Sequence, residues 1–167
     1  MEDYRDTVAV CCKNIADKKL SIAFAESATA GKMAYEFSLT AYSGDILKGG
    51  LVCYDACVKE EILGISKELI RKFTPESVEV TREMCLQIKK QMKADITVAI
   101  TGLTTPGGSE SEDKPVGTIF YSIAFASKVT NQRILLAGTP EEIINSSIAH
   151  ICHTLINIIE VGSQLKQ

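Results

Sequence analysis

The chain has 167 residues, a hydrophobic fraction of 46% and a formal net charge of -3 with acidic and basic residues interspersed. That length suits one domain over residues 1–167 with a sizeable buried core, and the charge pattern lacks the basic footprint of a nucleic-acid-binding protein. Glu2, Asp3, Arg5 and Asp6 stand where a secretory signal needs a basic segment and an apolar run, and no stretch is long enough to span a bilayer. The sequence therefore points to a cytoplasmic protein with no membrane and no nucleic-acid partner.

Tyr4, Val8, Cys11, Cys12 and Ile15 recur at three- and four-residue spacing, which predicts an amphipathic first helix. A first strand follows over Leu20 to Ala25, then a helix from Thr29 to about Leu39, and a second strand over the apolar, glycine-containing run Leu47 to Tyr54. Two short helices are expected next. Ser77 is a hydroxyl cap for a helix running to about Met92, with Val80, Met84, Ile88 and Met92 on one face. Ile96 to Thr101 reads as the third strand. Gly102 to Asp113 is a loop rich in Gly, Ser and Thr. Val116 to Ala126 is strongly β-forming and is expected to pair with Arg133 to Leu136 through a turn at Lys128 to Asn131. Thr139-Pro140-Glu141-Glu142 carries the signature of a capped helix start, so a last helix should run to about Glu160. Helices alternating with strands, plus one late hairpin, predict an α/β fold: a three-layer α/β/α sandwich on a mixed, mostly parallel sheet.

The six cysteines have neither disulfide-framework nor zinc-ribbon spacing and are read as free core residues. Cys53-x-x-x-Cys57 and His150-x-Cys152-His153 offer too few converging ligands for a structural metal, so no metal is expected.

Open α/β sheets bind ligands beyond the carboxyl ends of their strands, and three loops answer that description: 26–31, 54–59 and 102–114. In the first, a hydroxyl-rich turn ending at Gly31 opens a helix whose N-terminus favours an anion such as a phosphate; alternatively, Ser27 or Thr29 only caps that helix. A serine becomes a nucleophile only beside a base. His150 and His153 both belong to the last helix, which should cover the sheet, so they are poor partners for Ser27. Lys59 can take the role if burial or a helix N-terminus lowers its pKa, and Tyr54 can relay the proton or bind an oxyanion. Thr101, Gly102, Thr105, Gly107 and Gly108 present hydroxyls and open amides that suit a phosphoribosyl group. The loop matches neither a Walker A sequence nor the dinucleotide glycine fingerprint.

Ala25-Glu26-Ser27-Ala28-Thr29-Ala30-Gly31, Gly49-Gly50-Leu51-Val52-Cys53-Tyr54 with Lys59, Leu63-Gly64-Ile65, Thr101-Gly102, Pro106-Gly107-Gly108 and Lys114-Pro115-Val116-Gly117-Thr118 stand in one order along the chain. As a set they resemble the C-terminal domain of the CinA competence/damage-inducible family. The resemblance implies hydrolysis of the carboxamide of nicotinamide mononucleotide to nicotinate mononucleotide and ammonia. It implies Ser27 as nucleophile assisted by Tyr54 and Lys59, and the loop positions of Thr29, Gly31, Thr101, Gly102, Thr105, Gly107 and Gly108 make them the candidate substrate-binding residues. No metal or organic cofactor is implied, and a homo-oligomer is expected.

The chain departs from the family pattern at Ala30, Thr104, Thr105 and Asp55-Ala56-Cys57. It also carries Pro140 and Ile144 where the family has arginines. These departures bear on substrate contacts, and they leave open a second reading, a non-catalytic nucleotide-binding or scaffold protein of the same fold.

Overall fold

The computed structural model describes residues 3–164, so the acidic Glu2 lies outside the described residues. Within them, alternating apolar positions build one five-stranded sheet in the order β2-β1-β3-β4-β5, formed by β1 Ile22–Glu26, β2 Leu47–Val52, β3 Ile96–Gly102, β4 Thr118–Phe125 and β5 Lys128–Leu135. The sheet is mixed. Parallel pairing joins β1 to β2 and β3, and antiparallel pairing joins β3 to β4 and β4 to β5.

The strands are two-sided in a way that sets the layers. Ile22, Phe24, Ile96, Val98, Ile100, Ile119 and Ile123 project into one core with α1 Tyr4–Asp17, α2 Lys32–Ser38 and α7 Pro140–Gln164. The opposite face carries the small residues Ala25, Ala99 and Ala124, and against it pack α6 Val78–Met92 and the residues around α4 Ala56–Glu61 and α5 Lys67–Phe73. Small side chains let α6 approach closely: the hydroxyls of Thr81 on α6 and Thr101 on β3 lie 2.7 Å apart. A short α3, Ser43–Ile46, precedes β2 and was not foreseen.

The cap signals hold. Ser77 Oγ accepts from the Val80 N–H, and at α7 the Glu142 carboxylate accepts from the Thr139 N–H while the Glu142 N–H donates back to Thr139 Oγ1. Two boundaries differ from expectation. The hairpin turns at Ala126 and Ser127, directly before the expected Lys128 to Asn131, because Phe125 pairs directly with Lys128 and Ala126 takes a φ of 52°. β5 is a polar edge strand that needs no apolar face, so its first half carries no strand-like alternation. The second helix starts at Lys32, not Thr29, because the turn before it is organised around Glu26. Five cysteines are buried as expected, but Cys57 is exposed on α4. Among the described residues no helix is long and apolar enough to cross a membrane.

Candidate active site

The chain leaves β1 toward the α2 layer and leaves β2 toward the α6 layer, so the loops after two neighbouring parallel strands diverge to opposite faces. Such a divergence opens a crevice at the carboxyl end of the sheet. Ser27 and Lys59 meet there.

Ser27 extends the sheet by one step. Its N–H donates to Ile100 O at 3.0 Å while the Cys53 N–H donates to Glu26 O at 2.8 Å, so both flanking strands fix its backbone. Its side chain, 6% exposed, does not cap α2; Ser27 Oγ instead receives Lys59 Nζ at 3.1 Å. Lys59 is fully buried and also donates to Cys53 O at 2.9 Å and Tyr54 O at 3.4 Å. Three acceptors satisfy an ammonium. They also suit a neutral amine, whose two N–H groups can keep the carbonyls while its lone pair faces the Ser27 hydroxyl. Burial lowers the Lys59 pKa below its ordinary 10.5, and the carboxylates of Glu76 and Asp55 act in the other direction. The helix-terminus field invoked from sequence does not supply the shift, since Lys59 stands in the last turn of α4. Burial pushes the neighbouring Cys53 thiol up to about 11, which keeps it protonated near neutral pH.

Tyr54 contributes its carbonyl to Lys59 and borders the cleft; the residue is 64% exposed, and its hydroxyl has no hydrogen-bond partner among the described residues. Ala28, which follows Ser27 in the chain, borders the same cleft, and its N–H makes no hydrogen bond among the described residues.

The anion seat expected at the N-terminus of α2 is filled by the protein itself. Glu26, 1% exposed, accepts from Thr29 Oγ1 at 2.6 Å, from the Gly31 and Met33 N–H groups at 3.0 Å, and from the Ala34 N–H at 2.8 Å. A carboxylate there neutralises the helix terminus, and Gly31 at a φ of 94° permits the sharp entry. Thr29 and Gly31 therefore spend their donors on Glu26 and do not border the cleft. Thr101 is likewise withdrawn, fully buried with its hydroxyl against Thr81.

The cleft, about 200 Å³, is bordered by Ser27, Ala28, Tyr54, Glu76 and the 102–108 loop, which includes the expected Gly102, Thr105, Gly107 and Gly108. Gly102 is required by close approach: a Cβ there would lie 2.5 Å from Ile119 Cδ1 and 2.7 Å from Thr118 O. The Gly107 N–H, read from sequence as free for a phosphate, donates to Glu110 Oε1 at 2.7 Å. Lys114 ties the loop to the segment before α6, donating to Ser109 Oγ at 2.6 Å, Thr74 Oγ1 at 2.7 Å and Glu76 O at 3.0 Å. Glu76 is the residue that sequence reading missed. It precedes a helix that follows another helix, so the rule about strand ends gave no signal for it. His150 and His153 are exposed on α7, away from the cleft residues.

The family model described as the CinA C-terminal domain matches residues 5–159. A CinA-like protein of Flavobacterium psychrophilum is 34% identical over 136 residues, 81% of this chain and 32% of that protein. One from Prochlorococcus marinus subsp. pastoris is 30% identical over 97% of this chain and 38% of its own length. The chain thus spans about a third of the length of these curated relatives. Among solved structures, a CinA superfamily protein from Enterobacter cloacae matches with a TM-score of 0.84 at 29% identity, covering 91% of this chain and 92% of that one. A competence or damage-inducible protein from Enterobacter asburiae matches with a TM-score of 0.88 at 22% identity over 95% and 99% of the two chains, a likeness of fold.

Proposed function

The chain belongs to the CinA C-terminal domain family, and from that premise we propose that it is an amidohydrolase that deamidates nicotinamide mononucleotide to nicotinate mononucleotide and ammonia. The observation that carries the proposal is the 3.1 Å contact between Lys59 Nζ and Ser27 Oγ, at the edge of a cleft that admits a small amide. Ligand sites usually measure about 300–1,000 Å³, so a cleft of about 200 Å³ encloses the amide-bearing ring and leaves the remainder of a nucleotide outside it.

In this reading neutral Lys59 takes the Ser27 proton as Oγ attacks the carboxamide carbon. The oxyanion is received by the Ala28 N–H, with the Tyr54 phenol at the mouth as a second donor. Lys59 then returns the proton to the amide nitrogen, the C–N bond breaks and ammonia leaves. A water deprotonated by Lys59 attacks the acyl-Ser27 ester, releasing the carboxylate and restoring the hydroxyl. The chemistry requires no metal or organic cofactor, and we expect a homo-oligomer.

The test is ammonia release from nicotinamide mononucleotide by the wild type and by Ser27→Ala. Release lost in the variant, with nucleotide affinity retained, supports the mechanism; equal release would remove Ser27 from it. One observation favours the second reading, a non-catalytic nucleotide-binding or scaffold protein: among the described residues no cationic side chain borders the cleft to hold a phosphate. A folded wild type that binds the nucleotide and releases no ammonia would establish that reading instead.

A further inference from the structure

One charged side chain borders the cleft, with the Lys59 and Lys114 amines near enough to act on it. Among the residues that border it, Glu76 is the one with a formal charge, because Lys59 lies buried beneath the wall and Lys114 points to Thr74, Glu76 O and Ser109. The carboxylate is held from one side only. Ser109 Oγ donates to Glu76 Oε2 while itself accepting from Lys114 Nζ, a relay that fixes the group in place. Oε1 has no partner among the described residues, and it is absent from the buried polar atoms that lack one, so it is open to solvent.

From this arrangement we infer that Glu76 is a specificity-determining residue, selecting substrates whose ring carries a positive charge next to the reacting carboxamide. The inference rests on the reading of this cleft as the one that receives the amide. A pyridinium ring, made cationic by substitution on its nitrogen, places its charge in the plane of the ring that bears the amide. With the carboxamide at Ser27 and a cleft of only about 200 Å³, that charge falls within the same small enclosure as the Glu76 carboxylate. An anchored carboxylate in a partly dry cleft attracts a cation far more than it would in water. A neutral ring of the same outline gains nothing from it, and Glu76 discriminates between the two by charge alone.

The test is a double cycle on binding, which needs no turnover. In the Ser27→Ala background, affinities for nicotinamide mononucleotide and for its dihydro form, whose ring is neutral, are measured by titration calorimetry with Glu76 and with Glu76→Gln. Both ligands carry the same phosphate and ribose, so those contributions cancel in the cycle. Glu76→Gln keeps an oxygen to accept from Ser109. It is expected to lower affinity for the cationic ligand about tenfold, or about 1.4 kcal/mol, and to change affinity for the neutral one less than twofold. Glu76→Asp, which keeps the charge, should retain the preference. Equal losses for both ligands would mean that Glu76 only shapes the loop or accepts from ribose, and would overturn the inference. So would an unchanged preference, or the failure of both ligands to bind. Charge selection in this cycle without ammonia release by the wild type would refute the amidase reading while leaving the inference standing.

Discussion

Replacing Lys59 by methionine separates what the amine does for chemistry from what it costs the fold. The side chain is fully buried, and methionine fills its stem without the amine. Two terms oppose each other in stability near neutral pH. The Cys53 carbonyl, 2.9 Å from Nζ, loses its donor at a cost of about 1–3 kcal/mol, whereas the desolvation that lowers the lysine pKa is relieved. The net change at one pH is therefore uninformative, and the pH dependence decides. The folded pKa lies below the unfolded value of 10.5, so between those two values the unfolded chain binds the extra proton. Wild-type stability must then rise with pH across that window, by up to about 1.4 kcal/mol per pH unit from this group. Below the window the fold carries the full penalty, and above 10.5 the penalty is gone. Denaturant midpoints of wild type and Lys59→Met, measured side by side from neutral to alkaline pH, should diverge with this slope, the variant being the flatter. Ammonia release should rise with pH through the same folded pKa in the wild type and fall by roughly 10²–10⁴ in the variant. Parallel stability curves for the two proteins would refute the burial argument. Undiminished turnover would refute the base assignment.

Three further changes test the scaffold around Ser27. Glu26→Gln removes a buried charge that receives four donors and should destabilise the fold by about 2–4 kcal/mol in denaturant melts, with turnover falling because the neighbouring Ser27 loses its fixed turn. Tyr54→Phe removes a hydroxyl that has no partner among the described residues, so stability should hold within about 0.5 kcal/mol while turnover drops on the order of 10²-fold; unchanged turnover would exclude the phenol as a donor. Gly102→Ala drives a Cβ to 2.7 Å from Thr118 O and should lower stability by about 1–3 kcal/mol in a thermal melt, with the 102–108 loop displaced.

Elements were legible where local signals and tertiary packing agree. Ser77 and Thr139 carry cap chemistry that is sufficient by itself, and the 3.6-residue period of Val80, Met84 and Ile88 places α6 correctly because that face is the one that packs. β5 was displaced because a polar edge strand is defined by its ladder to β4 and not by its own pattern. At the site, Ser27 and Lys59 are expected near one another because each lies beyond the end of one of two neighbouring parallel strands, and the fold brings their side chains to 3.1 Å. What could not be read was which donors are already used. Thr29, Gly31 and Thr101 look open as text, yet Glu26 and Thr81 occupy them through contacts that only the folded chain creates.

The two turns that look like phosphate seats are both closed by the chain's own carboxylates, and their burial gives them different fates. Glu26 cannot be displaced: at 1% exposed, its release would strand an unpaired charge in the core. Glu110 is exposed and holds one loop amide, Gly107 N–H, which also draws its pKa down. A phosphate brings more charge and more acceptor oxygens to the same amide, so it can replace Glu110 where it cannot replace Glu26. The nucleotide phosphate is thereby expected at the 107–110 rim, where Gly107 borders the cleft. Glu110→Gln weakens the resident competitor and removes a repelling charge. It should lower KM for nicotinamide mononucleotide severalfold, up to about tenfold, and leave KM for the phosphate-free riboside unchanged. Steady-state ammonia release with the two substrates decides: equal changes in both, or none in either, would place the phosphate elsewhere.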